Sequence, residues 1–357
     1  MIKILSVAIM VVVLSGCLPG SGNKGSGGFM RSEDGGRSFE EKVAVDEKKT
    51  IGRVSTLSMS VNPLDNEHLY IGTVGHGIYV SYDGAETWAQ INFSASTVRG
   101  LAISTADTDV IYASGIHDSR GKLFRSEDAG ENWTDVYSEP ATDTWITALW
   151  LDPIEPNILY IGTNDGVIVK TSDEGKTWRN IYRADRGILS ILADSDDHNT
   201  IYVLTERDGL FRSRDAGSSF DDLTEDEYKP VEDENGETEY EEVDSRKLYS
   251  LAIDPSNGGT IFIGTDDGII RSENHGDSWK ALSVIGSTTG LPIYAMAIHP
   301  RDSNQLTFGA GQVIYTSIDG KANQWSTVDS APGQSVSVIT YNQFEPQIIY
   351  AGLRTSE

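Results

Sequence analysis

Short runs of alternating apolar and polar residues, separated by turns rich in Gly, Asn and Asp, recur along the chain from residue 28 onwards. One unit reads as an inner strand at 146–151, a turn at 152–157, a second strand at 158–163, a tight turn at 164–166 and a third strand at 167–170. Alternation with a period of two is typical of strands that bury one face. The pattern predicts an all-β fold built from repeated four-stranded units.

Each unit closes on the same phrase: a Ser or Thr, an Asp or Asn two residues later, usually a Gly, and a terminal Trp or Phe. Between terminal aromatics the shortest interval, Trp178 to Phe220, is 42 residues and the longest, Phe220 to Trp279, is 59. A period in the forties is typical of propeller blades, which bury their faces by stacking in a ring. The Asp or Asn is expected to hold the turn by accepting hydrogen bonds from backbone N–H groups. These residues are Asp34, Asp83, Asp128, Asp173, Asp215, Asn274 and Asp319.

The two ends of the chain carry complementary fragments of one unit. Residues 336–341 and 347–352 read as the first two strands of a blade, and residues 28–39 supply a third strand with its closing phrase. Pairing these fragments would close the ring and remove an exposed sheet edge. We therefore expect a seven-bladed β-propeller over residues 28–357, with six continuous blades and one composite blade.

The N-terminus reads as a targeting segment. A short positive start is followed by the apolar run 4–14, which is too short to span a bilayer, and then by Leu14-Ser15-Gly16-Cys17. This resembles a bacterial lipoprotein signal, which implies that residues 1–16 are removed, that Cys17 is acylated and that residues 17–27 form the lipidated Cys and a Gly/Ser-rich tether. The alternative is an ordinary secretory signal with an incidental Cys.

The lipoprotein resemblance implies an anchored protein of the cell envelope. Leu18, which stands where an Asp would favour inner-membrane retention, favours the outer membrane in a Gram-negative cell. In other cells the expected place is the outer face of the cytoplasmic membrane. We expect the propeller itself to be a monomer.

Charge narrows the expected partners. The chain has 28 Lys and Arg against 54 Asp and Glu, a formal net charge of −26, which opposes binding to nucleic acid. Part of this charge lies in an insertion at 224–247 with eleven acidic residues, which reads as a projecting hairpin. The insertion lacks the regular ligand spacing of a calcium loop, so no metal and no cofactor are expected.

The repeated phrase resembles that of the Asp-box (bacterial neuraminidase-type) propellers, and the resemblance covers nearly the whole chain after the tether. Relatives by this motif include sialidases, xyloglucanases, sortilin-type receptors and photosystem II assembly-factor propellers, which share a fold rather than a chemistry. The Arg-Ile-Pro motif of sialidases is missing. Wording such as Leu251-Ala-Ile-Asp254-Pro255 is closer to the xyloglucanase and sortilin repeats. Xyloglucanases, however, place two catalytic Asp residues between two propellers, and this chain predicts one propeller.

Candidate ligand-binding residues fall near one face of the predicted ring. They occupy turns between second and third strands or the beginnings of strands, and they combine polar groups with an aromatic wall, as ligand sites often do. These residues are His76, Arg99, His117, Asp118, Arg120 and Trp145. Their alternative reading is as exposed loop side chains and ordinary blade packing.

No nucleophile elbow, zinc-binding His pair or phosphate-binding Gly-rich loop is present. The sequence therefore favours a membrane-anchored, noncatalytic module that binds a protein or a glycan, and it assigns no catalytic residue. The alternative is a glycan-active hydrolase or lyase of the xyloglucanase or sialidase type, which would need an acid pair on the same face.

Overall fold

A computed structural model describes residues 28–224, 230–232, 238–240, 247–282, 284, 290–318, 324–330 and 332–355. Cys17 and the box residue Asp319 therefore lie outside the described residues. The described part is all-β, with strands grouped in seven sheets. None of its described segments forms a helix long and apolar enough to cross a membrane.

The chain begins with β1 (Gly28–Ser32) and β2 (Glu40–Glu41) and then builds six continuous blades, each named here after its innermost strand. The first three comprise β3 (Thr56–Asn62), β4 (Asp65–Thr73), β5 (Ile78–Ser81) and β6 (Ala89–Gln90); β7 (Val98–Ile103), β8 (Ile111–His117), β9 (Arg120–Ser126) and β10 (Thr134–Ser138); and β11 (Ile146–Leu151), β12 (Leu159–Thr163), β13 (Val167–Thr171) and β14 (Arg179–Arg183).

The fourth blade comprises β15 (Ile188–Ala193), β16 (Ile201–Thr205), β17 (Leu210–Ser213) and β18 (Asp221–Asp222). After β19 (Pro230–Glu232) and β20 (Thr238–Tyr240) come the fifth blade, with β21 (Leu248–Ile253), β22 (Ile261–Thr265), β23 (Ile269–Ser272) and β24 (Trp279–Ala281), and the sixth, with β25 (Ile293–His299), β26 (Asp302–Ala310), β27 (Val313–Ser317) and β28 (Trp325–Asp329). The chain ends in β29 (Gln334–Tyr341) and β30 (Ile349–Thr355).

The composite blade has the strand order β2-β1-β30-β29, with Gly28 opposite Leu353 and Ser32 opposite Ile349. The predicted fold class and the closure of the ring by the two ends of the chain are thus confirmed. Because β1 pairs with β30 in this seventh sheet, neither half-blade leaves an exposed strand edge where the ring closes.

The acidic insertion differs from the expected projecting hairpin. Its two strands, β19 and β20, do pair as a hairpin, but β20 also pairs with the outermost strand β24 through Tyr240 and Trp279. The fifth blade thereby becomes a six-stranded sheet. An open strand edge offers unpaired N–H and C=O groups, so the hairpin extends this blade outwards instead of standing free of it.

Apolar clusters fill the space between neighbouring blades. One of them joins Tyr70 and Ile78 of the β3 blade to Val98 and Ile111 of the β7 blade. The buried tyrosines of the second strands also cross between blades: the Tyr70 hydroxyl donates to the carbonyl of Ala129 at 3.0 Å. Because no blade can bury both faces alone, these contacts make the ring one cooperative unit.

All seven innermost strands share a bulge. In each, the pairing register with the second strand shifts around one residue near the start, which is left out of the ladder. The seven bulged residues are Leu57, Arg99, Thr147, Leu189, Tyr249, Tyr294 and Ser337. All retain partial or full exposure, and they lie at the starts of the innermost strands, which surround one mouth of the central channel.

Candidate functional site

The two faces of the propeller are built differently. The repeated phrases, called Asp boxes below, and the turns between first and second strands form one face, the box face. The turns between second and third strands and the connections between blades form the opposite loop face, where the channel mouth with the seven bulged residues also lies. All six candidate ligand-binding residues belong to the loop face.

The described Asp boxes are closed hydrogen-bond circuits. In the box of Asp173, the Thr171 hydroxyl donates to Oδ1 at 2.7 Å, the Thr177 backbone N–H donates to Oδ1 at 2.8 Å, and the Thr177 hydroxyl donates to Oδ2 at 2.6 Å. Led by the Thr177 hydroxyl, these bonds lower the pKa of Asp173 to about 2. Both oxygens of this carboxylate thus accept hydrogen bonds within the same turn, so the carboxylate has a structural role.

The box turn needs a backbone conformation that the sequence pattern did not reveal. The residue before the box Gly also has a positive φ, with values of 56° at Ala129 and 61° at Glu174. The carbonyls of Ala129 and Glu174 then point to the preceding blade and accept hydrogen bonds from the hydroxyls of Tyr70 and Tyr112. The box therefore connects blades as well as closing a turn.

On the loop face, the structure places the two histidines beside one connection, residues 91–97. The His117 ring nitrogen Nδ1 lies 3.1 Å from the carbonyl oxygen of Ser94, and its Nε2 lies 3.4 Å from a carboxylate oxygen of Asp118. His76 is exposed, and the N–H of the adjacent Gly77 donates to the carbonyl of Ser96 at 2.7 Å.

Arg120 and Trp145 belong to a second group. The Arg120 guanidinium donates to the carbonyls of Glu139 and Pro140 at 3.3 and 2.6 Å, so it fixes this loop. Trp145 is partly buried, and its backbone N–H donates to the Asn164 side chain at 2.8 Å. Arg99 lies apart from both groups, at the mouth of the central channel.

Glu139, which the sequence analysis missed, lies at the centre of the second group. Its side chain is buried, and its carboxylate accepts the Tyr137 hydroxyl at 3.0 Å. Burial raises the pKa of Glu139, the Tyr137 hydrogen bond opposes this shift, and the negative charge of Asp165 adds to it. A carboxyl group that keeps its proton at a higher pH than usual is suited to donate that proton.

The surroundings of Glu139 come from two blades. Its backbone N–H donates to the carbonyl of Gly121 at 2.8 Å, and a Cβ at Gly121 would lie 2.6 Å from the Cα of Trp145. Glycine is therefore required for the close approach of these two segments. One local feature of the sequence could have drawn attention to Glu139. It stands between strand β10 and Pro140, two residues after Tyr137, so the two side chains share one side of the strand.

Asp165 gives Glu139 a carboxylate neighbour from the next blade. It accepts the Thr163 hydroxyl at 2.6 Å and pairs with Arg183 at 3.2 Å, and its charge acts on Glu139 as described. Two carboxyl groups with different surroundings are the basic equipment of glycoside hydrolysis, in which one donates a proton and the other activates water or attacks the sugar.

A related arrangement occurs one blade further on. Burial raises the pKa of Asp208; the Asp185 backbone N–H, which lies 3.2 Å from Asp208 Oδ2, opposes the shift, and the charges of Asp185 and Asp222 add to it. The loop face thus carries two acidic positions whose pKa values rise, whereas hydrogen bonds within the turn lower the pKa of the box residues Asp34, Asp83, Asp128, Asp173 and Asp215. Within the described part of the chain, no group of three or more His, Cys, Asp or Glu side chains is arranged to hold a metal ion.

Two cavities lie away from the Glu139 group. One, of about 460 Å³, is lined by Glu41–Thr50 residues and Glu86, and the other, of about 480 Å³, by residues that include Asp34, His299 and Arg301. Neither cavity is lined by Glu139 or Asp165.

Comparison with known proteins links the chain to glycan hydrolases. It is 24% identical over 290 residues to a xyloglucanase from Paenibacillus sp., and 24% identical over 326 residues to one from Hypocrea jecorina. These matches cover 70% and 76% of this chain but 28% and 38% of the relatives. The chain therefore spans well under half the length of the curated relatives that it matches.

The other comparisons concern shorter segments or the fold. The model of the family described as "Sortilin, neurotensin receptor 3" matches residues 27–148. The structure is similar to the GH74 xyloglucanase of Xanthomonas campestris, with a TM-score of 0.66 and 16% identity over 84% of this chain and 51% of that one. YCF48 from Cyanidioschyzon merolae gives a TM-score of 0.62 and 14% identity over 84% of this chain and 95% of that one.

These findings correct the expected function. The expectation of a noncatalytic binding or assembly module is wrong, since the matched relatives are xyloglucanases and the similarity runs across most of the chain. The expectation rested on the lack of known catalytic motifs in the sequence, and no acid pair stands out there among 54 Asp and Glu residues. The chain is a seven-bladed β-propeller with Asp boxes, and it resembles glycoside hydrolases.

Proposed function

We propose that this chain is a glycoside hydrolase propeller that cleaves a polysaccharide of the xyloglucan type on its loop face. The observation that carries the proposal is the similarity to xyloglucanases over 70% to 76% of the chain. The Glu139–Asp165 pair supports it, because the two carboxyl groups differ in burial and in partners, as the two roles of a glycosidase require.

In this proposal Glu139 is the proton donor. Its burial favours the protonated form, from which a proton passes to the glycosidic oxygen as the bond to the sugar breaks. Asp165 is the second carboxylate, which activates the attacking water or attacks the sugar directly. Arg120 is a positioning residue, because its guanidinium donates to the carbonyls of Glu139 and Pro140 and so holds the backbone at Glu139. Trp145 supplies an aromatic wall against which a sugar ring packs.

One propeller gives this site one wall. The Xanthomonas campestris xyloglucanase is about twice as long as the part matched by this chain. We propose that a second domain or protein faces the loop face and completes the cleft. The chain alone is then expected to cleave slowly, with the chemistry still dependent on Glu139.

Hydrolysis of a polysaccharide panel tests the proposal. The purified chain is incubated with xyloglucan, mixed-linkage glucan, cellulose and xylan, and new reducing ends are measured. We expect release from xyloglucan, reduced about 100-fold or more in Glu139→Gln. The matched control is Glu131→Gln, an exposed carboxylate of the box face, which should leave the rate unchanged. No product from any polysaccharide would overturn the hydrolase, and equal rates for Glu139→Gln and the wild type would overturn the assigned proton donor.

We further propose that the protein is exported and held at a membrane by acylated Cys17, with the propeller tethered by the residues that follow. Radiolabelled palmitate fed to cells should label the wild type and not Cys17→Ala, which should move to the soluble fraction. A Cys17→Ala protein that stays in the membrane fraction would contradict the anchor.

A further inference from the structure

The mouth of the central channel on the loop face carries an aromatic and cationic group that the carboxyl pair does not involve. Tyr249 and Tyr294 are bulged residues of neighbouring blades, and their rings meet edge to face with centroids 5.5 Å apart. The Tyr294 side chain is 45% exposed, which leaves an aromatic surface free at the mouth. Exposed tyrosines that pack on each other form a rigid surface for a ligand.

Arg354 lies on this aromatic surface. It comes from β30 of the composite blade, and its guanidinium carbon is 4.9 Å from the centre of the Tyr294 ring. Its Nε is 3.4 Å from the Ser335 hydroxyl, a long hydrogen bond. A guanidinium stacked on an aromatic ring keeps its other N–H donors available at its edge.

Arg99 reaches the same mouth from the other side. It is the bulged residue of β7, and the whole β3 blade separates it from the composite blade that carries Arg354. The pKa of Arg99 is lowered by burial among the inner strands and then by the charge of Arg354, although the side chain keeps solvent access from the channel. Both residues therefore belong to the channel mouth on the loop face, Arg99 at the start of β7 and Arg354 opposite Ser335 at the start of β29.

Neither guanidinium has a carboxylate partner within the described residues, in a chain with a net charge of −26. Three other half-buried or buried arginines are paired with carboxylates: Arg31 with Glu33, Arg125 with Glu174, and Arg212 with Asp277. Two like charges at one channel mouth repel each other. An anion that arrives from outside would relieve this repulsion and bind both.

We propose that the channel mouth binds the carboxylate of an acidic glycan, such as a uronic acid residue, between Arg99 and Arg354, with the sugar ring on Tyr294. This inference rests on the proposed function, because it names an acidic sugar as part of the substrate class of the same face. A planar carboxylate matches the paired N–H donors of guanidinium groups, and the C–H face of a sugar packs on an aromatic ring. The acidic surface elsewhere repels the same ligand, so binding is restricted to this mouth.

Calorimetric titration of the Glu139→Gln protein tests the inference without consuming the ligand. The probes are a xyloglucan oligosaccharide that carries one uronic acid residue and the same oligosaccharide with that carboxyl group reduced to an alcohol. We expect the acidic probe to bind about 10- to 100-fold more tightly, and the preference to weaken as salt is raised. Arg99→Gln and Arg354→Gln should each remove most of it, whereas the exposed control Arg179→Gln should retain it.

Equal affinity for the two probes, or a preference that survives in Arg99→Gln, would overturn the site. If a peptide with a free C-terminal carboxylate binds more tightly than the acidic probe, and its binding is lost in Arg99→Gln, the result would overturn the glycan as ligand. Thermal melting of each variant shows whether it is folded, and Arg99→Lys, which keeps the charge but not the paired donors, should bind with intermediate affinity. Carboxylate preference without hydrolysis would overturn only the proposed function, and hydrolysis without carboxylate preference would overturn only this inference.

Discussion

The box face and the loop face use the same side-chain chemistry for opposite purposes. At the box of Asp173, three donors within a few residues surround the carboxylate and lower its pKa to about 2. At Glu139, burial and a neighbouring carboxylate raise the pKa instead. A carboxylate whose oxygens all accept hydrogen bonds stabilises a turn. A carboxyl group whose surroundings disfavour the negative charge keeps its proton and can transfer it. Sequence repetition marks the first kind, and the contact between two unlike blades creates the second.

Two tryptophans provide the largest expected contrast in stability. Trp279 ends a box and is fully buried, so Trp279→Ala should lower the free energy of unfolding by about 3–5 kcal/mol. Trp145, on the loop face, is partly exposed, and Trp145→Ala should cost less than half as much while it weakens glycan binding. Urea unfolding of both variants, beside the wild type, measures the difference.

Equal losses of stability at the two positions would contradict the division between faces. So would a loss of glycan binding in Trp279→Ala that persists at a temperature where this variant is fully folded. Trp279→Phe, which keeps most of the apolar contact, should recover part of the lost stability.

A smaller contrast separates two serines. The Ser81 hydroxyl is buried in its box, where it donates to Asp83 and accepts from the N–H of Ala85, both at 2.8 Å. Ser81→Ala leaves that buried N–H and carboxylate short of a partner and should cost about 1–3 kcal/mol. The exposed Ser94 of the loop face is the control, with an expected change within about 0.5 kcal/mol for Ser94→Ala. A neutral Ser81→Ala in urea unfolding would show that the box circuit does not contribute to stability.

The boxes and the closure of the ring could be predicted because each depends on residues close in sequence or on a repeated pattern. Asp173 and Thr177 are four residues apart, and the half-blades at the two ends of the chain complement each other visibly. The pairing of β20 with β24 could not be predicted, since any strand with a free backbone edge accepts another.

The proposed site residues of the loop face could not be predicted from the sequence, for a different reason. Glu139 follows the β7 blade and Asp165 belongs to the β11 blade, while Arg99 and Arg354 belong to blades that the β3 blade separates. Their proximity depends on blade count, bulge position and ring closure together. Arg120 is a candidate ligand-binding residue in the sequence. In the fold its guanidinium donates to backbone carbonyls, and the sequence alone does not reveal this use of the arginine.

The smallest expected effect is an opposite pH dependence of stability at the two faces. The folded-state pKa of Asp173, about 2, lies below its usual value of 3.8, so its contribution is complete above pH 3.8 and is lost as the pH falls towards 2. Glu139 has a folded-state pKa above its usual 4.5, so its ionisation begins to cost stability as the pH rises past 4.5. In urea unfolding from pH 2 to 7, Asp173→Asn should therefore differ from the wild type most at neutral pH and least near pH 2. Glu139→Gln should gain stability relative to the wild type as the pH rises. If both variants follow the same pH trend, the two carboxyl groups share one kind of environment, and the assignment of proton transfer to Glu139 loses its electrostatic basis.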